Sequence, residues 1–250
     1  MLRISWIFGA VLAATLSTNL RCAEGALFFL ETPEDAKSTS GEPVGAEAWV
    51  TTGANTVTIQ ITNTEINIKD ISQVLTGLTL SLSGGASHGS IVDSKGNVVF
   101  VDSQGNYSLA PGDPIRIDGN VTIGNQFYSG WTMSSLDLSV FNQTPNFGVL
   151  DDTQPNYGTN GSIAGNTPHN PFTRGTDSFT LSILGVTDGT LVTGGSFQFG
   201  TNQNGGIVTL VEDDVKPVPE PTSLACWSLL GLIGFGYRRW GPKTCDSARY

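Results

Sequence analysis

The middle of the chain alternates apolar and polar residues at the two-residue period of a β-strand. In Thr56–Thr62, three branched apolar residues alternate with Thr and Gln, which directs an apolar face inward and a polar face outward. Gly-rich turn signals separate this segment from others with the same period. The pattern therefore predicts an all-β domain. The other alternating segments contain Leu78/Leu80/Leu82, Leu136/Leu138/Val140, Phe179/Leu181/Ile183, Phe197/Phe199 and Val208/Leu210.

Many short strands joined by close turns are typical of an antiparallel β-sandwich or jelly roll, which is the fold predicted for residues 26–211. A helix of one or two turns is predicted around Asp70–Leu75, with Asp70 as its N-cap. Residues 142–174 are rich in Pro, Gly, Asn and Asp, which predicts one long loop, or two loops around a short strand at Phe147–Leu150. Long loops on a rigid sheet are favoured places for a binding site.

An apolar segment at the N-terminus predicts export. Arg3 precedes the uncharged run Ile4–Leu16, which is shorter than the ~20 residues of a membrane span and is typical of a secretory signal peptide. We predict a signal peptide over residues 1–25 that is cut after Gly25, with a cut after Ala23 as the close alternative because both residues are small. The Sec translocon and signal peptidase are the partners that this leader requires.

A second apolar segment lies near the C-terminus. Residues 212–217 are predicted to form an acidic, proline-containing linker that lifts the following segment clear of the domain. The apolar run Ser223–Tyr237 would span about 22 Å as a helix, against ~30 Å for a bilayer core, which makes it a short transmembrane helix. Arg238 and Arg239 follow at once, and the positive-inside rule then places residues 240–250 in the cytoplasm.

These C-terminal features resemble the PEP-CTERM sorting domain. A proline-glutamate-proline motif, a Gly-rich apolar run and a pair of arginines occur in that order, and the resemblance covers residues 218–239. The chain departs from the usual pattern by continuing from Trp240 to Tyr250. The motif consists of Val218, Pro219, Glu220 and Pro221.

The resemblance implies a route for the protein. A membrane-embedded protease-transpeptidase of the exosortase class would recognise the motif, cut near it, and release or re-attach the outer part, while Arg238 and Arg239 act as the membrane stop. Such proteins are typical of bacteria that make an exopolysaccharide or biofilm matrix. The β-rich passengers found ahead of this signal are generally of unknown activity, so the resemblance implies no chemistry for residues 26–211.

The region between the two end segments is strongly acidic. Residues 26–220 contain six basic and twenty acidic residues, which give a net charge of −14. Such a surface repels phosphate backbones, so nucleic-acid binding is not expected, whereas cations and neutral or basic sugars are compatible partners. The same region has no cysteine, so an ordinary apolar core must stabilise the domain without disulfides.

A short repeat contains two candidate metal ligands. The sequence Asp93-Ser94-Lys95-Gly96-Asn97 recurs nine residues later as Asp102-Ser103-Gln104-Gly105-Asn106. Asp followed closely by Gly is typical of β-turns, and two consecutive turns are the favoured prediction. In the alternative, Asp93 and Asp102 would bind calcium, although the repeat lacks the acidic positions of an EF-hand loop. No other cofactor is predicted.

The residues suited to catalysis do not form a recognisable motif. His88 and His169 are the two histidines of the chain, and both lie in turn-like sequence, where ordinary loop residues are expected. No Gly-x-Ser-x-Gly nucleophile motif occurs. Asp151 and Asp152 are candidates for a glycoside hydrolase, but that reaction depends on a spatial separation of carboxylates that sequence does not give.

Aromatic residues around the long loop are candidates for carbohydrate binding. If they are exposed, their rings could stack on sugar rings of an exopolysaccharide; if they are buried, they are core residues. The four residues are Tyr128, Trp131, Phe147 and Tyr157.

Together these features predict a non-enzymatic protein of the cell envelope or extracellular matrix, anchored in the membrane through its C-terminal helix until it is processed. The alternatives are a carbohydrate-binding module for exopolysaccharide and a glycan hydrolase.

Overall fold

The computed structural model describes residues 25–86, 88–134, 138–142, 146–158, 161–201, 206–210 and 214–218. These residues form seventeen strands and one 3-10 turn, Ile71–Gln73. The strands are β1 (Leu27–Glu31), β2 (Ala46–Gly53), β3 (Thr56–Asn63), β4 (Leu75–Leu82), β5 (Ser90–Lys95), β6 (Val98–Val101), β7 (Tyr107–Leu109), β8 (Asn120–Ile123), β9 (Gln126–Ser129), β10 (Trp131–Met133), β11 (Leu138–Asn142), β12 (Val149–Leu150), β13 (Phe172–Arg174), β14 (Thr176–Ser182), β15 (Val192–Phe199), β16 (Ile207–Leu210) and β17 (Val215–Val218).

Two large sheets and one small one organise these strands. The six-stranded sheet has the order β17-β1-β2-β3-β14-β5, and β8 with β9 forms a two-stranded sheet. The nine-stranded sheet has the order β10-β11-β4-β12-β13-β6-β7, with β15 beside β4 and β16 beside β15. The pairs are antiparallel except for β12 with β13. The prediction of an all-β domain is therefore confirmed.

The predicted alternation of apolar and polar residues determines which side chains form the main core. Val57, Ile59 and Ile61 of β3 are buried, while the Thr and Gln residues between them face outward. Buried side chains from both large sheets meet in one apolar cluster. Trp131 of the nine-stranded sheet and Phe179 of the six-stranded sheet meet in it, with ring centroids 5.0 Å apart. Burial of these two inner faces is the main stabilising contribution to the domain.

A second, smaller core lies on the other face of the nine-stranded sheet. In β6, Val98 belongs to the main core, whereas Val99 and Val101 belong to the second one. Tyr157 and Ile163, from the segment predicted as a long loop, are buried there. The short strand predicted at Phe147–Leu150 is present as β12. The long segment is therefore packed against the sheet by its own apolar side chains.

The predicted helical turn is present as the 3-10 turn. Asp70 is its N-cap and accepts a hydrogen bond from the backbone N–H of Ser72 at 2.8 Å. Gln73 completes a capping box, because its Oε1 accepts from the N–H of Asp70 at 3.1 Å. The hydrogen bond from Ser72 lowers the pKa of Asp70. The prediction of Asp70 as N-cap is confirmed.

The prediction of a linker at residues 212–217 is wrong in its second half. Val215–Val218 is strand β17, which pairs with β1 at the edge of the six-stranded sheet and places Val218 opposite Leu27. Backbone hydrogen bonding to β1 outweighs the presence of Pro217, since a proline is tolerated on an edge strand. The folded domain thus continues to Val218, the first residue of the predicted sorting motif.

No helix among the described residues is long and apolar enough to span a bilayer. The predicted signal peptide, apart from Gly25, and the predicted transmembrane run Ser223–Tyr237 lie outside the described residues.

Candidate functional site

Two aromatic rings lie side by side on the outer face of the six-stranded sheet. Phe29 of β1 and Trp49 of β2 are directly opposite in register, with ring centroids 4.8 Å apart and an interplanar angle of 51°. Phe28 and Leu30 point into the core, so the alternation of β1 directs Phe29 outward. Trp49 is 38% exposed. We call the outer face around these rings the Phe29–Trp49 surface.

The edge strand β17 closes one side of this surface. Lys216 lies opposite Phe29, and its ammonium group is 5.9 Å from the centroid of the Phe29 ring. The same ammonium group forms an ion pair with the Glu31 carboxylate. The positive charge beside the rings is therefore balanced locally.

Polar side chains extend from the rings across the rest of the sheet. Trp49 is opposite Gln60, which is opposite Ser178, which in turn is opposite Lys95 at the far edge. The neighbouring row contains threonines: Thr51, Thr58 and Thr180. Hydroxyl and amide groups both donate and accept hydrogen bonds. This outer face can therefore bind a molecule that has an apolar ring face and polar edges.

A shallow cleft of about 310 Å³ lies beside Tyr128, one of the four predicted aromatic residues. The Tyr128 hydroxyl donates to Gln126 Oε1 at 2.5 Å, and its ring packs edge-on against Phe147 with centroids 6.0 Å apart. Asn170 fixes the wall of the cleft, because its amide bonds both the N–H and the C=O of Val101. The lining residues are Phe100, Val101, Asp102, Ser108, Gln126, Tyr128, Thr167 and Asn170.

The other three aromatic candidates are buried, so an exposed role for them is wrong. Trp131 donates its indole N–H to the carbonyl oxygen of Phe147 at 3.0 Å, and Phe147 is itself fully buried. Tyr157 donates its hydroxyl to the carbonyl oxygen of Asp151 at 2.9 Å, and burial raises its pKa. Each polar group finds an internal partner, which allows these large rings to serve as core residues.

The two adjacent aspartates have different surroundings. Asp151 is buried, and its Oδ1 accepts from the N–H of Thr153 at 2.7 Å and from the N–H of Gln154 at 3.0 Å, so it caps a turn. Asp152 lines a polar cleft of about 460 Å³ together with Asp113 and Arg174.

Arg174 fixes one wall of that cleft. Its Nη2 donates to the backbone carbonyls of Asp152 and Gln154, and its guanidinium lies 4.3 Å from the centroid of the Tyr107 ring. These contacts tie the loop that carries Asp151 and Asp152 to the sheet.

The two histidines lie in separate segments. His88 is exposed between β4 and β5. His169 is half-buried in a turn in which its backbone N–H donates to the carbonyl of Asn166 at 3.0 Å. Its Nδ1 is buried without a hydrogen-bond partner, and burial lowers its pKa. The placement of His169 in a turn confirms the sequence prediction.

The structure places the two halves of the sequence repeat in different elements. The second half forms the predicted turn, in which Asp102 Oδ1 accepts from the N–H groups of Gln104 and Asn106. The first half does not form a turn, because Asp93 lies in strand β5 and pairs with Thr180 of β14. Within the described part of the chain, no group of three or more His, Cys, Asp or Glu side chains is placed to hold a metal ion.

One buried carboxyl group was not predicted. Asp177 of β14 is fully buried, and its Oδ2 accepts a hydrogen bond from the Thr173 hydroxyl at 2.8 Å, while its Oδ1 has no partner. Gly96 makes room for it, since a Cβ there would lie 2.6 Å from Oδ1. Burial raises the pKa of Asp177 well above its ordinary value.

Of the predicted sorting residues, Val218 ends strand β17. Pro219, Glu220, Pro221, Arg238 and Arg239 lie outside the described residues. Comparisons with protein-family models, curated proteins and solved structures find no match to this chain.

Proposed function

We propose that this protein is exported and then delivered to the cell envelope or extracellular matrix by its C-terminal segment, with the β domain as a non-enzymatic cargo. The observation that carries this proposal is the order of features after the last strand. Val218 ends β17, and the Pro219-Glu220-Pro221 motif, the apolar run and the Arg238-Arg239 pair follow directly.

The position of the domain's two ends supports the proposal. Leu27 and Val218 are opposite each other in neighbouring antiparallel strands. The chain therefore enters and leaves the domain at adjacent positions of one sheet. A membrane segment attached to either end of such a domain could anchor it without any rearrangement of its strands.

The proposed route has three partners in sequence. The Sec translocon exports the chain, signal peptidase removes residues 1–25, and an exosortase-class protease recognises residues 218–221 while the apolar run holds the chain in the membrane. We also propose that the two large sheets form an antiparallel β-sandwich, since their inner faces share one core.

A charge-matched pair of variants tests the sorting signal. Glu220→Ala changes the motif, whereas Glu212→Ala removes the same charge eight residues earlier. In cells that carry an exosortase-class protease, we expect Glu220→Ala to stay at the unprocessed size in the membrane fraction and Glu212→Ala to behave as the wild type. Identical size and location for wild type and Glu220→Ala would refute the proposal.

Carbohydrate binding is the second candidate function. Three of the four aromatic residues first considered for it are buried, so its support comes from the Phe29–Trp49 surface. The hydrolase alternative has less support, because Asp151 is used as a turn cap.

A further inference from the structure

We propose that the Phe29–Trp49 surface binds an extended, neutral, β-linked polysaccharide. This ligand class rests on the carbohydrate-binding function proposed above and is independent of the sorting signal. The surface lies on strands β17, β1, β2 and β3 of the six-stranded sheet.

The two rings supply the apolar part of the contact. A pyranose ring has a face of C–H groups and an equatorial edge of hydroxyls, so its apolar face packs on an aromatic ring while its edge stays hydrated. The Phe29 and Trp49 centroids are 4.8 Å apart, and the strand pairing places the two residues side by side. Rigid aromatic groups bind with little loss of side-chain entropy.

Polar groups lie at both ends of the row that contains the two rings. Gln60 is opposite Trp49 on one side, and Lys216 is opposite Phe29 on the other. From β17 to β3 the surface crosses three strand spacings, about 14 Å. That length suits a few units of an extended chain that lies across the strands.

Charge determines which glycans are compatible. The net charge of −14 over residues 26–220 repels polyanionic chains such as polyuronates. Lys216 does not offset this repulsion, since Glu31 neutralises it. The surface therefore favours a neutral ligand.

The small apolar area argues against a second copy of the chain as the occupant. A stable protein interface buries about 800 Å² on each partner, with an apolar centre. Here the two rings are bordered by Gln60, Thr51 and Thr58, so the apolar part is limited to the rings.

The test is calorimetric titration of the full-length chain, held in detergent, with the β-1,4-linked hexasaccharides of glucose, N-acetylglucosamine and mannose. We expect at least one of these ligands to bind, and Trp49→Ala and Phe29→Ala to weaken its binding by about tenfold or more. Trp49→Tyr should restore most of the affinity, because it keeps an aromatic ring. Polygalacturonate should not bind.

Phe127 provides a matched control, because it is 80% exposed on the two-stranded sheet, away from these strands. Phe127→Ala should bind as the wild type does. Absence of binding to all three hexasaccharides, equal binding by wild type and Trp49→Ala, or a dimer that Trp49→Ala disrupts would each overturn the proposal. Glu220→Ala should bind normally, so a failed sorting signal and a failed glycan site give different results.

Discussion

The two large sheets differ in what covers their outer faces. The outer face of the nine-stranded sheet around β6 and β13 is covered by the chain itself, through Tyr157 and Ile163. The outer face of the six-stranded sheet is polar and carries Phe29 and Trp49 at its surface. Rings of similar size are therefore buried in one region and partly exposed in the other.

This difference follows from the local sequences. Val98-Val99-Phe100-Val101 in β6 is apolar on both faces, which requires a cover on each side. Strand β3 instead alternates apolar residues with Thr and Gln, so its outer face is stable in water. An aromatic residue on such a face gains less from burial than one in a core, because part of its ring stays in contact with water.

The largest expected effect is the loss of a covered ring. Tyr157→Ala should destabilise the domain by about 3–5 kcal/mol, because it leaves a cavity in the second core and removes the hydrogen bond to Asp151. Urea unfolding measures this change. Phe127→Ala, at an exposed position, should shift stability by less than about 0.5 kcal/mol. Equal values for the two variants would show that the second core is not packed.

The buried Asp177 carboxyl group of the six-stranded sheet should make the stability of the domain depend on pH. Burial raises the pKa of Asp177 above its ordinary value of 3.8, so the folded protein holds a proton that the unfolded chain releases above pH about 4. Stability should fall as pH rises from there towards the raised folded pKa. Asp177→Asn should remove this loss and stabilise the domain by about 1–3 kcal/mol at pH 8, with a smaller gain near pH 4.

Urea titrations at several pH values measure the effect of Asp177→Asn. Asp188→Asn is the control, since Asp188 is exposed in the loop before β15. A stability gain for Asp177→Asn that does not grow with pH would contradict the assignment of a protonated, buried carboxyl group.

A further comparison uses Trp49 and Trp131, which lie in different large sheets. Trp131→Thr should cost about 3–5 kcal/mol, whereas Trp49→Thr should cost less than about 1 kcal/mol, because Trp49 lies on a face that already carries Thr51. Thermal unfolding of both variants measures the contrast. A large cost for Trp49→Thr would mean that the ring is structural.

The smallest expected effect concerns the edge strand. Lys216→Ala removes an exposed ion pair with Glu31 and should change stability by about 0–1 kcal/mol, with a smaller change at high salt. Denaturation at two salt concentrations measures it. A loss of several kcal/mol would show that β17 depends on this pair and not on its backbone pairing with β1.

The sequence predicted the strands whose burial is one-sided. In β3 and β14 the alternation of apolar and polar residues shows which side chains face the core, and the sequence identified both strands. The sequence could not predict that Trp131, Phe147 and Tyr157 are buried. Short strands and packed loops show no regular alternation of apolar and polar residues. The linker prediction failed at residues 215–217, since the pairing of β17 with β1 is a long-range contact.

The candidate surface was missed for a related reason. The alternation in Leu27–Glu31 and Ala46–Gly53 already directs Phe29 and Trp49 outward. What the sequence does not show is that β1 and β2 are neighbours in the register that brings the two rings together. The pairing of β1 with β2 is what brings the two aromatic residues next to each other on one surface.

Intact-mass measurement of the mature protein, isolated from the cells that make it, tests the proposed function most directly. The account predicts a species that begins at Ala26 and lacks the apolar run after the Pro219-Glu220-Pro221 motif. A mass equal to that of the full chain from Met1 to Tyr250 would contradict both export and sorting.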